Sequence, residues 1–571
     1  MPGGLLNLVS YGNQNVILNG NPTKTFYKSV YAKYTNFGLQ KFRVDFKGLR
    51  TLRMNEESQF VFKMPRYADL LMDTFVVVDL PTIWSPIFPP QDCSSSWAPY
   101  DFKWIDDLGT QMIKEVTISV GGQILQKMSG QYLLNKVNRD FSGISRFLYN
   151  RMTGNEAALN DPANAYGRVN QYPSAFFTTS PAGPGPSIAA RRLYIPINCW
   201  FTLTSQQAFP LVSLQYNELE IKVTMRSIRE LFVIRPPPLP TIAAVPPGPA
   251  WYSGGERPYI QASGSDAFQG FYRFIQPPPD ISLNTYADTR TNWNADVHLM
   301  STYCFLSEDE VRVFAAKDQE YLIKEVYEYK FPNVTGSHRV LLNSLSMVAD
   351  YMWYFQRSDI NLRNQWSNYT NWAYETEPYP PVLADADNAD STYELPCAAA
   401  TVNPGFNFDP ATGLPDVSSG LYITGDFQPG NARLIMKDWA LLLDGKYREN
   451  TLDAGVLDYM EKYIRTGGDA PEGVYCYNFC LDTNPFVLQP SGAINMSKFS
   501  KIQFEFSTAY PPIDASAQTF VICDPSSGEI LGVNKPVWRI YDYNYDLTIF
   551  EERYNTVVFT CGNVGLMYAR S

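Results

Sequence analysis

The sequence predicts an all-β protein made of two large antiparallel-sheet domains, and three observations carry that prediction. Apolar and polar residues alternate with a period of two in segment after segment, the mark of strands packed on one face. Pro (42) and Gly (36) are scattered between those segments, as many short turns require and long helices do not. A Pro-rich break beginning at Pro236 divides the chain into two β-rich halves. The length of 571 residues would allow four domains of about 150 residues, but β domains commonly reach about 200–250. Two large ones fit as well. An apolar share of 45% supplies core material, and Tyr (38) and Phe (34) dominate the aromatic 15%, which suits half-buried pleated surfaces and interface anchors.

The strand signals come in order along the chain. Phe42, Val44 and Phe46 alternate with Arg43, Asp45 and Lys47. Val116, Ile118 and Val120 alternate with Thr117 and Ser119, and Gly121-Gly122 then marks a two-residue hairpin turn, because such turns need positive φ. Leu219, Ile221, Val223 and Met225 form a third alternating run, Tyr475, Tyr477, Phe479 and Leu481 a fourth, and Ile502, Phe504 and Phe506 a fifth. Each half closes on a comparable segment, LQYNELEIKV in the first and SKFSKIQFEF in the second, a hint of duplication. Helical patterns are few and short: Ser129 to Asn138, and Ser307 to Lys317, where Ser307 and Glu310 have capping-box spacing. These signals divide the chain into an N-terminal arm (1–24), a first β domain (25–235), a Pro-rich linker or loop (236–290) and a second β domain (291–571). Residues 150–190 and 373–420 read as long surface loops.

Charge narrows the function. The net charge of −11 argues against direct nucleic-acid binding. Residues 1–70, however, hold ten basic residues against four acids, a net of +6, which leaves −17 for the remainder. That segment is either a solvated basic strand face or a surface turned toward something anionic, such as phospholipid headgroups or an acidic partner. The eight cysteines (Cys93, Cys199, Cys304, Cys397, Cys476, Cys480, Cys523 and Cys561) are sparse and irregular, as reduced and mostly buried thiols would be. The opening MPGGLLNLVSYG lacks the charged region of a secretory signal, and no run of about 18 apolar residues marks a membrane span.

Catalytic chemistry finds little to work with, so no catalytic residue, cofactor site or metal site is assigned. Only His298 and His338 are present, and His298 sits in an apolar strand where a structural role is expected. Phosphate-loop, nucleophile-elbow and dinucleotide patterns are missing. Glu308-Asp309-Glu310 begins the second expected helix, where the helix dipole is a sufficient reason for acids. Three N-x-[ST] sequons, at Asn333, Asn368 and Asn495, are candidate glycosylation sites.

Seven segments, in order, resemble the major capsid proteins of nucleocytoplasmic large DNA viruses. The opening GGLLNLVSYGNQNVILNGNPTKTFYKSVYAKYTNF (3–37) matches the family's Gly-rich start, its Leu-x-Leu-Val-x-Tyr-Gly, its Asn-Gly-Asn-Pro and its closing Thr-Asn-Phe. IKEVTISVGGQILQKMSGQYL (113–133) resembles the family hairpin, and LYIPINCWFTLTSQQAFPLVSLQYNELEIKV (193–223) its Leu-Gln-Tyr region, with Asn217 where His is common. YLIKEVYEYKF (321–331) is similar to the start of the second domain. FQRSDINLRNQWSNYTNW with LLLDGKYRENTL, then VYCYNFCLDTNPFVLQPSGAINMSKFSKIQFEF, then YNTVVFTCGNVGLMYARS complete the set. Residues 150–190, 236–290 and 373–420 have no match.

The resemblance implies two tandem eight-stranded jelly rolls, a double jelly roll with long loop insertions and a few short helices. It implies a non-enzymatic, homotrimeric, pseudo-hexagonal capsomer that tiles the icosahedral capsid of a large double-stranded DNA virus, assembled in the host cytoplasm. The implied partners are further copies of the chain, minor capsid and penton proteins, and an inner membrane near the basic N-terminal segment, without direct contact to nucleic acid. Two other readings stay open: a double jelly-roll assembly scaffold, and a β-sandwich glycan-binding protein or hydrolase.

Overall fold

The structure is a computed structural model that describes residues 3–85, 100–169, 171–173, 175, 185–235, 259–264, 269–277, 286–374, 432–511, 520–523, 530–534 and 541–568. Its principal strands fall into two jelly rolls. The first contains β1 (Gly38–Asp45), β2 (Ser58–Lys63), β3 (Leu70–Leu80), β4 (Ile113–Val120), β5 (Gln123–Ser129), β6 (Arg191–Pro196), β7 (Leu219–Met225) and β8 (His298–Phe305). One sheet runs β1-β8-β3-β6 and the facing sheet β2-β7-β4-β5, with every pair antiparallel. The second contains β9 (Gln319–Phe331), β10 (Ser337–Leu342), β11 (Met347–Arg357), β12 (Met436–Leu443), β13 (Lys446–Asp453), β14 (Val474–Asn478), β15 (Ile502–Thr508) and β16 (Tyr545–Thr560). Its sheets run β9-β16-β11-β14 and β10-β15-β12-β13, the same order position by position.

Local chemistry explains these elements. β2 buries Ser58, Phe60 and Phe62 and exposes Gln59, Val61 and Lys63, and β15 alternates in the same way. Gly121 and Gly122 join β4 to β5 with φ of 58° and 84°, the left-handed pair that the hairpin needs. Asp444 and Gly445 do the same between β12 and β13, with φ of 49° and 78°. The similar segments LQYNELEIKV and SKFSKIQFEF contain the seventh strand of each roll, β7 and β15.

Helix α1 (Gly130–Asp140) forms where expected, with Ser129 Oγ accepting from Tyr132 N at 3.3 Å. The sequence shows no sign of the following α2 (Gly143–Thr153). Helix α3 (Glu308–Ala316) forms after Ser307, but the capping box does not. Glu310 Oε1 instead accepts from Thr35 Oγ1 at 3.1 Å.

The domain division needs one correction. β8 pairs along its whole length with β1, from Gly38↔Phe305 to Asp45↔His298, and with β3 on its other side. Residues 291–305 therefore lie in the first roll, and the division expected at 291 falls inside it. The Pro-rich stretch connects the seventh strand to the eighth within one roll. Closure entropy grows slowly with loop length, so a strand can return across a long insertion. Residues 236–258 of that stretch lie outside the described residues. Its described parts pack on the first roll: Ile260 bridges to Ile234, and Phe271 and Phe274 stand against Phe102 and Phe232. Of the other two expected loops, 176–184 and 375–420 lie outside the described residues.

The two cores differ. The second roll is centred on rings: Trp353 stacks on Trp439 at 5.1 Å, with Phe504 edge-on to both and Tyr475 at 5.9 Å from Trp353. The first roll's core extends across the boundary, taking in Ile323, Met352, Tyr354, Phe550 and Phe559 from the second roll. The sheet β9-β16-β11-β14 thus buries both faces, one against its own roll and one against its neighbour.

Candidate assembly surfaces and the joint between the rolls

Helix α1 is the wedge of the joint, and every one of its residues is buried. Tyr132 Oη donates to Glu552 Oε1 at 2.7 Å, and Asn135 Nδ2 donates to Tyr369 Oη at 3.0 Å. Arg139 carries the densest set of contacts. It donates through Nη1 to Asp350 Oδ1 at 2.7 Å, through Nη2 to Glu552 Oε1 at 3.1 Å, and through Nε to Asp140 Oδ1 at 2.8 Å. Thr483 Oγ1 donates to Asp140 Oδ1 at 2.7 Å, and Lys324 Nζ lies 3.7 Å from Glu552 Oε2. The side chains of Arg139, Asp140 and Asp350 are 0% exposed. With Lys136 nearby, three cations face three carboxylates across the boundary.

Burial shapes the electrostatics of this cluster. It raises the Asp350 carboxyl to about 7, against the pull of Arg139. It acts to raise Glu552 as well, but Arg139, Lys324 and Lys136 together hold that carboxyl well below its ordinary range. Asp350 Oδ2 has no hydrogen-bond partner among the described residues, so Asp350 is the weak point of the cluster. Removing one member of such a buried set leaves uncompensated charge at about 3–5 kcal/mol. None of this was legible in the sequence, where α1 reads only as a short helix.

A small polar cavity of about 170 Å³ opens beside the joint, lined by Asp106, Asp107, Asn138, Arg146, Asn155 and Ser367 among others. Burial raises both carboxyls, Asp107 to about 6. Asp107 Oδ1 accepts from Asn155 Nδ2 at 2.6 Å. The space is below the ~300–1,000 Å³ of ordinary ligand sites. A wider groove on the second roll is lined by Asp458, Lys462, Tyr463 and Glu472, among others. Its acids are engaged: Asp458 with Lys462, and Glu472 with Arg433 at 2.7 Å.

The remaining sequence candidates are dispersed. Asn333 and Asn495 are exposed. Asn368 is 2% exposed, donates Nδ2 to the Trp372 carbonyl at 3.0 Å and accepts from Thr370 Oγ1 at 2.7 Å. Its amide is therefore closed to modification in the folded chain. Cys199, Cys304, Cys476 and Cys480 are free and buried, and Cys561 is free and exposed. Burial pushes the Cys199 and Cys476 thiols up to about 12. Cys93 and Cys397 lie outside the described residues. His298 Nδ1 pairs with the Asp296 carbonyl at 2.6 Å, and His338 Nε2 with the Thr335 carbonyl at 2.9 Å. Among the described residues, no group of three His, Cys, Asp or Glu could hold a metal ion, and no helix is long and apolar enough to cross a membrane.

Two surfaces have no cover among the described residues. One flanks the joint: Ile144 (79% exposed), Phe147 and Leu148 on α2, with Phe486 and Val487 from the second roll, where Phe486 meets Phe141 at 5.1 Å. The other is the arm, which runs past the expected boundary at residue 24 as far as Phe37, just before β1. Every residue from Gly3 to Phe37 is exposed except the half-buried Asn15. Its hydrogen bond from Thr35 to Glu310 on α3 is the arm's one side-chain hydrogen bond to the rest of the chain among the described residues. The basic segment 1–70 divides here. Arg43 and Arg50 pair with Asp296, both at 2.9 Å, Arg53 with Glu56 and Lys63 with Glu220. Lys24, Lys28 and Lys33 on the arm have no ion pair among the described residues.

Known proteins resemble the chain across this whole arrangement. Residues 25–250 match the family model described as the major capsid protein N-terminus. The major capsid protein of Phaeocystis pouchetii virus is 25% identical over 96% of this chain and 97% of its own length. That of Paramecium bursaria Chlorella virus 1 is 24% identical over 100% of both chains. Among solved structures, the PBCV-1 virus capsid matches with a TM-score of 0.57 at 19% identity, covering 96% of this chain and 100% of that one. The Faustovirus major capsid protein matches with a TM-score of 0.55 at 13% identity, covering 97% and 96%.

Proposed function

Since the chain belongs to the major capsid proteins of the nucleocytoplasmic large DNA viruses, we propose that it works as a homotrimeric, pseudo-hexagonal capsomer tiling an icosahedral shell. One observation carries this reading: two rolls of identical strand order are joined into one block by a shared core and by the Arg139 cluster. Three such blocks present six similar wedges around a three-fold axis. Closed cyclic symmetry then limits the trimer, and growth proceeds through weaker outer contacts. Many such contacts together give avidity while single ones stay reversible.

The assembly units on this reading are a first roll ending at Phe305 and a second beginning at Gln319, with α3 between them. The apolar face of α2 with Phe486 and Val487 supports a contact between copies, which for a stable interface must bury upwards of about 1,000 Å². The arm lies on the inner side, toward minor capsid proteins or a membrane. Penton proteins close the vertices, and assembly takes place in the host cytoplasm. Asn333 and Asn495 are the two described sequons open to glycan attachment. The acidic body makes no direct contact with nucleic acid. Electron microscopy of the purified protein tests the central claim. Three-fold particles with a hexagonal outline are expected, and a monodisperse monomer at micromolar concentration would overturn it.

A further inference from the structure

We infer that the arm segment Lys24–Tyr34 docks on an anionic phospholipid surface. This rests on the inner-side placement proposed above and narrows its partner to lipid. The segment reads KTFYKSVYAKY: Lys24, Lys28 and Lys33 are interleaved with Phe26, Tyr27, Val30, Tyr31 and Tyr34. These apolar side chains are 85–98% exposed, and no acid occurs anywhere from residue 3 to 37.

Single exposed apolar residues need no explanation, but a continuous uncovered run of this kind marks an interaction site. Its composition selects the partner. Lysines are drawn to anionic headgroups, and tyrosine and phenylalanine rings seat at the boundary between headgroups and acyl chains. No helix or strand is assigned over residues 21–37, so the segment offers neither an amphipathic helix face nor a strand edge for a protein groove to match. A planar, deformable interface needs no such match.

The charge of the body fits the same partner. The whole chain carries −11 and the arm +3, which leaves −14 on the rolls. A membrane of like charge therefore repels the rolls and attracts the arm. The 14 residues from Lys24 to Phe37, which carry no helix or strand, span about 20 Å as a flexible chain, about twice the ~8–10 Å Debye length. The rolls can stand clear of the surface while the arm holds it. The apolar residues Leu5, Leu6, Leu8, Ile17 and Leu18, all exposed, lie further along the same arm and add buried area once the lysines have engaged.

The test uses the full chain with phosphatidylcholine vesicles, with and without phosphatidylserine, read by co-sedimentation across a salt series, with oligomeric state measured on the same samples. Binding is expected only with phosphatidylserine and should weaken as salt rises. The triple variant Lys24→Gln/Lys28→Gln/Lys33→Gln should lower affinity by about five-fold per lysine, about a hundred-fold in all, with melting unchanged. A second variant, Phe26→Ser/Tyr27→Ser/Tyr31→Ser/Tyr34→Ser, should lower the binding that survives at high salt. Equal binding to both vesicle types, or affinity untouched by the triple variant, overturns the inference. So does an intact trimer that ignores both vesicles, which leaves the capsomer reading standing. Loss of the trimer in wild-type protein counts instead against the capsomer reading. If the protein ignores vesicles and arm deletion abolishes self-association, the arm's partner is a second copy and the lipid assignment is wrong.

Discussion

The joint and the arm place similar residue types in opposite surroundings. At the joint, Lys136, Arg139 and Lys324 face Asp140, Asp350 and Glu552 with almost no water between them. Along the arm, three lysines and fourteen large apolar side chains stand in water. Burying an ion costs several kcal/mol, and the loss is offset only when partners are already in position. The folded chain supplies those partners at the joint, so the angle between its rolls is settled before it meets another molecule. For the arm it supplies almost none. The difference separates what a single chain completes from what it leaves to assembly.

The contrast can be broken most severely at Arg139. Arg139→Met leaves Asp140 and Asp350 without their buried cation and only Lys136 and Lys324 beside Glu552, and a loss of about 3–5 kcal/mol is expected. Thermal melting should show it, and limited proteolysis should find new cleavage between Phe305 and Gln319 as the rolls part. A variant that melts normally and resists cleavage would mean that the shared apolar core alone holds the joint.

Trp439→Ala is the matching test away from the joint. It removes one partner of the Trp353 stack and is expected to lose about 3 kcal/mol. The damage should stay within the second roll, so hydrogen exchange should rise on β10, β12 and β15 and not on β2, β4 and β7.

Asp350→Asn sharpens the electrostatic side. The folded carboxyl sits at about 7 against an ordinary 3.8. The fold therefore favours its protonated form. That contribution is complete below about pH 4 and disappears as pH rises through about 7, with a slope of at most about 1.4 kcal/mol per pH unit. The Asn variant should flatten the melting profile across that window. Burial likewise raises Glu551 to about 7, so some slope should survive. An unchanged profile would mean that Asp350 stays ionised beside Arg139.

The smallest effect is expected from deleting residues 1–24. Melting should move by no more than about 0.5 kcal/mol, as for surface changes that break no buried contact. A larger loss would show that these residues brace the first roll.

Much of the fold was legible locally. A strand's two-residue period is a property of its own side chains, so β1, β4, β7 and β15 could be read from alternation, and Gly121-Gly122 announced its turn. β8 was assigned to the wrong roll because a strand's sequence says that it pairs and not with which partner. Ser307 and Glu310 had the spacing of a capping box, but Thr35, distant in sequence, took the glutamate. Asn368 looked as open to modification as Asn333 until its burial was visible. The arm's basic character was legible, because an exposed segment keeps the chemistry it is written with, but its extent was not: residues 25–37 were placed in the first β domain and stand exposed with the arm.

By itself, then, the sequence determined the all-β class, the Gly121-Gly122 hairpin turn, the helix after Ser129 and the likeness to capsid proteins, since each depends on neighbours along the chain. Only the tertiary structure decided which strands share a sheet, where the first roll ends and how the two rolls meet. Arg139 finds Asp350 and Glu552 at separations of 211 and 413 residues. Pairing over such distances is set by the shape of two folded surfaces and by the exclusion of water between them, and neither is written in any local pattern.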